Sequence, residues 1–234
     1  MRQSFLDIHD YSDFGDFSRA ALDIYCSDEV LGALRAITGE ASLNLMQSML
    51  FDANTATPPH QDWWYLDSVP AGHLLAGWVA LEDIHEDAGR FYVLRDTTAI
   101  DLRQGDADLA HSTWLERMQQ YLDSHREQLV APALHKGDAL FWNSRTIHGS
   151  LPTADARHSR KSITAHYMPS RMTFGNLFKV KDYIAYKEFR GVKHFKNQPD
   201  YSLPNSLKNE VKRLVYDHPR ALRALRRWQG RLPL

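Results

Sequence analysis

Residues 42–51 read SLNLMQSMLF. Alternate positions carry Leu43, Leu45, Gln47, Met49 and Phe51, and the positions between them carry Ser42, Asn44, Met46 and Ser48. Successive side chains on a strand face opposite ways, so this stretch predicts a strand with one polar residue, Gln47, on its apolar face. Downstream, residues 52–59 (DANTATPP) predict a loop and His60 to Tyr65 a short strand. Further strands are predicted over 73–82 and 90–95, joined by an acidic turn ending in Gly89, and near 129–134, 139–142, 146–151 and 161–168. Upstream, 17–38 predicts a helix in two pieces, with Ser27 as N-cap and Gly39 as the stop. Residues 107–127 predict one more, with Leu109, Trp114, Leu115, Met118 and Leu122 in a stripe. Residues 205–229 predict a basic helical pair broken at Pro219. Short strands in the middle with helices at the flanks indicate a mainly β sandwich or barrel rather than alternating βαβ units.

A chain of 234 residues with 43% hydrophobic and 24% charged residues has the composition of a folded domain. That excludes a disordered, collagen-like or rod-shaped protein. No run of about 18 apolar residues is present, so no membrane span is expected. Asp7, Asp10, Asp13, Asp16 and Asp23 leave no apolar stretch for a signal peptide, and Cys26, the single cysteine, allows no internal disulfide. A reduced, cytoplasmic setting is expected. The net charge of −1 hides an asymmetry: from Arg171 onward there are 15 Lys/Arg against 5 Asp/Glu. Such a basic third suits an anionic partner, or a solvated face docked on the acidic part of the same chain. Arg223, Arg226 and Arg227 at helical spacing are its candidates for steering an anion.

His60-Gln61-Asp62 carries the sharpest chemical signal. On a strand, residues two apart aim at the same side, bringing one imidazole and one carboxylate together. His148, in TIHGS (146–150), lies 88 residues later at a predicted strand end. Two histidines and one carboxylate on one face of a metal, with three positions open, form the facial triad of non-haem Fe(II) oxygenases. Arg160, twelve residues beyond His148, opens an apolar strand. Its guanidinium suits the far end of a dicarboxylate, with Ser162 on the same face as a hydroxyl donor. His166 lies on that face at even spacing, Trp78 is expected to face inward, and Trp64 is in phase with Asp62.

PPHQD (58–62), the Trp78 strand, KGDALFW (136–142), IHGS (147–150) and RKSITAHY (160–167) together resemble the phytanoyl-CoA dioxygenase (PhyH) family. The resemblance covers about residues 42–170. It implies a double-stranded β-helix, or jelly roll, in one domain over 1–234, with a barrel core at about 42–170 and a basic helical extension at about 171–234. It implies Fe(II), 2-oxoglutarate and O2, with His60, Asp62 and His148 as iron ligands. Arg160 and Ser162 would take the 2-oxoglutarate C5 carboxylate, and Gln47, Met49 and Trp78 would border the cosubstrate. The implied reaction is hydroxylation, or a related oxidation, of an unactivated C–H in a small metabolite, releasing succinate and CO2; the basic third suits one that is anionic or carrier-linked. Nucleic acid is not an expected partner.

Family members that halogenate carry Gly or Ala in place of the HxD carboxylate, so Asp62 points to hydroxylation. Where many members carry Pro-Gly-Ser-His, this chain reads VLRDTT (93–98), so a substrate such as phytanoyl-CoA does not carry over. Two rival classes use parts of the same pattern. A cupin-like metalloenzyme of isomerase type has no need of Arg160, and a non-catalytic barrel has no reason to keep four polar groups facing inward.

Overall fold

The computed structural model describes residues 4–11, 14–106, 108–176, 180–181 and 184–196. Two compact units divide them: one runs up to Ala99 and resumes at Gln128, and the other spans Ile100 to Glu127. The predicted helices of 205–229, with Arg223, Arg226 and Arg227, lie outside the described residues.

The first unit opens with β1 (Ser4–Leu6), α1 (Gly15–Tyr25) and α2 (Asp28–Thr38). The Ser27 Oγ accepts from the Val30 N–H at 3.3 Å, and Asp28 and Glu29 meet the positive end of the α2 dipole. Gly39 at φ 72 ends α2 in the left-handed region that favours glycine. Then follow β2 (Leu43–Phe51), β3 (Asp67–Val69), β4 (Leu75–Ala80) and β5 (Phe91–Leu94). After the second unit come β6 (Leu129–Val130), β7 (Ala139–Asn143), β8 (His148–Ser150) and β9 (Ser162–Pro169). The chain continues with β10 (Thr173–Gly175), β11 (Val180–Lys181), β12 (Tyr186–Phe189) and β13 (Val192–Phe195). In the second unit, α3 (His111–Ser124) buries Trp114, Met118 and Leu122, one per turn on a single stripe. It starts later than the stripe predicts, and Leu109 precedes it.

The large sheet has the order β12-β13-β2-β9-β4-β7, with β1 also on β2. A smaller sheet, β6-β5-β8, lies against its inner face, where Phe91 stacks on Trp78 at 6.1 Å and meets Trp142 at 4.7 Å. This is the expected mainly β jelly roll. The outer face packs Leu45, Ile163, Ala165 and Tyr167 with Leu22, Tyr25 and Leu34 of the helices.

β2 departs from its predicted faces. Its register with β9 shifts between Leu45 and Gln47, a bulge that takes up Met46. Cross-strand partners share a face. Leu45 therefore goes outward with Tyr167, while Gln47, Met49 and Phe51 go inward with His166, Thr164 and Ser162. The apparent single face of five residues is two half-faces joined at the bulge.

Two further expectations are corrected. His60 to Tyr65 is not a strand: His60 forms an isolated bridge, and Asp62–Trp64 is a turn of 3-10 helix. The segment beyond 171 starts as strands rather than helix. Its β12–β13 hairpin turns at Arg190 and Gly191, both with positive φ (49 and 77), the geometry of a type I′ turn that matches sheet twist.

Candidate metal centre

His60 and His148 exchange both backbone hydrogen bonds, N–H to O, each at 2.9 Å. This antiparallel pair sets the two imidazoles side by side, with ring centroids 4.2 Å apart. Each ring is oriented the same way. His60 Nδ1 lies 2.9 Å from the Pro58 carbonyl, and His148 Nδ1 lies 2.9 Å from the Thr146 carbonyl. A carbonyl only accepts, so both Nδ1 atoms carry the proton and both Nε2 lone pairs are free for a metal.

After His60 the chain turns. Gln61 points away into the core, where its amide donates to the Arg145 and Thr97 carbonyls and accepts from Trp63 Nε1 at 2.7 Å. Asp62, opening the 3-10 turn, points back at the histidines. Its Oδ1 lies 3.7 Å from His60 Nε2 and 3.4 Å from His148 Nε2. Its Oδ2 accepts from Trp142 Nε1 at 2.9 Å and lies 3.4 Å from His166 Nε2. One carboxylate oxygen is thus held by the barrel wall while the other faces the imidazoles. The three ligand atoms lie within 4.8 Å of one another, close enough to hold one ion. Burial pushes His60 down to about 4, so it is neutral at pH 7. Burial alone would raise Asp62, but the imidazoles of His148 and His166 beside it favour its anionic form and hold the carboxyl well below the usual range.

Across the lumen the polar residues of β9, Ser162, Thr164 and His166, all face inward. Arg160, just before β9, is 2% exposed and makes no ion pair among the described residues. Among the described residues its one side-chain hydrogen bond runs from Nη1 to the Gly89 carbonyl at 2.9 Å. Burial pulls it down to about 10. Its Nε, the Ser162 Oγ, the Thr164 Oγ1 and the Trp78 Nε1 are buried with no hydrogen-bond partner among the described residues. An unmade hydrogen bond of this kind costs about 1–3 kcal/mol. Unmet donors of this kind on the inner wall, together with a guanidinium that has no ion-pair partner among the described residues, suit an oxygen-rich anion.

Of the expected site residues, His60, Asp62 and His148 come together, Ser162 faces inward on β9, Trp78, Gln47 and Met49 lie on the inner faces of β4 and β2, and Arg160 is buried two residues before β9 with its guanidinium on the Gly89 carbonyl. Trp64 is buried, and Tyr65 is the aromatic that meets His60, at 5.8 Å. Trp142 and Thr164 were not singled out by spacing. Their signal is alternation: Trp142 pairs with Ala76, itself two residues from Trp78, and Thr164 sits between Ser162 and His166. A cavity of about 550 Å³ opens beside β7, lined by Ile37, Leu75, Arg95, Phe141 and Trp142 among others. None of the three candidate ligands lines it, so it is not where the metal chemistry would occur.

Gly149, beside His148, has no room for a side chain. A Cβ there would lie 2.7 Å from the Tyr92 hydroxyl and 3.0 Å from the Thr57 carbonyl. Gly149→Ala is expected to cost about 1–3 kcal/mol, a fall in melting temperature of roughly 2–12 °C for a chain of this size, which calorimetry would read.

A jelly roll that presents two histidines and an aspartate inside its lumen is the framework of the Fe(II)/2-oxoglutarate oxygenases. The profile of the phytanoyl-CoA dioxygenase (PhyH) family matches residues 6–159, and the chain belongs to that family. It is thus an Fe(II)- and 2-oxoglutarate-dependent oxygenase. A search of curated proteins finds no match. Among solved structures, the non-haem α-ketoglutarate-dependent carbocyclase SnoK from nogalamycin biosynthesis aligns at 17% identity and TM-score 0.57, over 74% of this chain and 66% of its own. EctD from S. alaskensis, solved with 2-oxoglutarate and 5-hydroxyectoine, aligns at 17% and 0.55, over 74% and 58%. HygX from Streptomyces hygroscopicus, solved with nickel and 2-oxoglutarate, aligns at 16% and 0.51, over 72% and 71%. At these identities the likeness is one of fold.

Proposed function

We propose that His60, Asp62 and His148 hold the iron, and that Arg160 and Ser162 hold the far carboxylate of 2-oxoglutarate. Trp78, Gln47 and Met49 border the same cosubstrate. The observation that carries this reading is Arg160, a buried guanidinium with no counter-charge among the described residues, followed on the inner face of β9 by the Ser162 and Thr164 hydroxyls, which are buried without partners there. A buried unpaired charge costs several kcal/mol, and a carboxylate bound there relieves that cost. The iron, when bound, supplies the activation of dioxygen that couples decarboxylation of 2-oxoglutarate to oxidation of a C–H bond. The chain supplies two imidazole lone pairs, one carboxylate oxygen, and a buried anchor that fixes the cosubstrate's orientation. Asp62 occupies the position whose loss accompanies halogenation, which supports hydroxylation.

The test is succinate release. Metal-stripped protein given Fe(II), 2-oxoglutarate and O2 should form succinate, and the iron-loaded protein should bind 2-oxoglutarate in a calorimetric titration. A cupin-like isomerase would do neither, and absence of binding would overturn the proposal. The substrate in this reading is a small anionic metabolite, favoured by the basic balance beyond Arg171. Its Michaelis constant should rise with salt as the Debye length shrinks below about 10 Å; a salt-independent constant would remove the anionic assignment. The setting is taken as the reduced cytoplasm. No described helix is long and apolar enough to cross a membrane, and burial pushes the Cys26 thiol up to about 11, away from thiolate chemistry.

Trp142 is a positioning residue in this scheme, acting through Asp62. Trp142→Phe keeps the ring but removes the donor to Oδ2. Loss of such a ligand-orienting bond is expected to weaken Fe(II) roughly 10- to 100-fold, measured by competition with a metal-binding dye. Full rescue of turnover by excess Fe(II) would distinguish this from a packing defect.

A further inference from the structure

We propose a second metal site on the outside of the barrel, formed by His85, Asp87 and His158, selective for divalent transition ions such as Zn2+ over Mg2+ or Ca2+. His85 and Asp87 lie in the β4–β5 connection and His158 in the β8–β9 connection. The two imidazoles stack face to face, centroids 3.7 Å apart and planes within 6°. His85 Nδ1 accepts the Asp87 N–H at 3.2 Å and lies 3.7 Å from Asp87 Oδ2; a metal on Nδ1 takes the place of that hydrogen bond. One ligand atom from each of the three residues lies within 4.8 Å of the other two.

The frame exists without an ion. The Asp87 carbonyl accepts from both Ala154 N–H at 2.9 Å and Asp155 N–H at 3.2 Å, and the Arg90 carbonyl accepts from Leu151 N–H at 2.9 Å. The two connections are thus tied together before any side chain acts. Asp155 Oδ2, pinned by Arg157, adds negative charge 3.8 Å from His158 Nε2.

Tetrahedral zinc bonds to imidazole at about 2.0–2.1 Å, so neighbouring ligand atoms sit about 3.4 Å apart. His85 Nδ1 and Asp87 Oδ2 are 3.7 Å apart, a few tenths of an ångström wider, and all three ligand atoms lie within 4.8 Å of one another; rotation of the stacked rings out of their parallel arrangement brings both lone pairs onto one ion. Imidazole with one carboxylate favours zinc, nickel, cobalt or copper, whereas magnesium and calcium prefer an all-oxygen shell. Partial exposure leaves the remaining positions to water, so the site should be of micromolar strength and in exchange with solution.

The test compares metal-stripped wild-type protein with His85→Ala/His158→Ala by zinc titration calorimetry. The wild type should take up one equivalent more than the double variant, and the two should melt at the same temperature without metal. Equal stoichiometry would overturn the site. Asp87→Asn should weaken the extra equivalent by roughly tenfold or more while leaving the fold intact, since its backbone ties are main-chain; an unchanged isotherm would remove Asp87 as a ligand. Magnesium chloride should give no extra equivalent. The difference between the two proteins does not depend on whether the inner triad binds zinc, so failure here is separate from failure of the iron-site assignment.

Discussion

His148→Ala is expected to reduce succinate release to background while leaving the protein folded. His148 is 2% exposed, and its Nε2 is one of three atoms available to an ion in the lumen. With it gone, two ligand atoms remain, and an iron held by two groups is weakly bound and free to leave. The backbone bridge to His60 uses main-chain atoms only, so the pairing survives the substitution. The cost to stability is the lost ring packing against Trp142 and Phe91, at 4.9 and 5.6 Å. Circular dichroism should therefore stay close to wild type, while Fe(II) no longer protects against heat. His60→Ala and Asp62→Ala should behave alike. Normal succinate formation in His148→Ala would show that the ligand set is wrong.

Arg160→Ala should raise the Michaelis constant for 2-oxoglutarate by about 30- to several-thousand-fold, the range for losing a charge-assisted contact of about 2–5 kcal/mol. Iron affinity should hardly move, because no atom of Arg160 belongs to the triad. The same substitution removes a buried charge that no described residue neutralises. Its effect on the ligand-free melting temperature should therefore be small, the cavity left behind being offset by relief of desolvation. The stabilisation that 2-oxoglutarate confers should vanish. Arg160→Lys keeps the charge but not the planar fork and should fall between the two. Lys161→Ala is the internal control: Lys161 turns outward to Glu82 at 3.6 Å. A wild-type constant for 2-oxoglutarate in Arg160→Ala would end the anchor assignment.

The legible parts of this molecule are those fixed by local periodicity. Ser27 and Gly39 mark α2 because capping is decided within one turn of chain. β9 reads correctly because its inward hydroxyls and imidazole alternate with outward apolar residues without interruption. The HxD pair pointed to the right chemistry for a reason that only half applies. Its two side chains converge because a bridge is followed by a tight turn, not because they ride one strand. That turn depends on the Trp63 N–H reaching the Ser144 carbonyl at 3.1 Å, a partner 81 residues away that no local window contains. The β2 bulge is hidden for the same reason. In Leu43 to Phe51 the alternation falters at Met46 and Gln47, but only the pairing with β9 shows that the phase breaks there. Trp142 read as part of a family motif, but its bond to Asp62 is a product of the closed barrel.

The pairing of β2 with β9 also sets a timetable for synthesis. Phe51 pairs with Ser162, 111 residues later, and Leu43 with Pro169, 126 residues later. At translation rates of about 5–20 residues per second, β2 waits roughly 6–25 s for its partner. Throughout that interval Leu43, Leu45, Met46 and Leu50 have emerged with only the short β1 of the sheet beside them. The centre of the barrel cannot exist until the ribosome has passed Pro169, and iron has no complete site to enter before then. Any ribosome-bound factor that shields this protein should therefore engage the β2 segment and release it only once β9 has emerged.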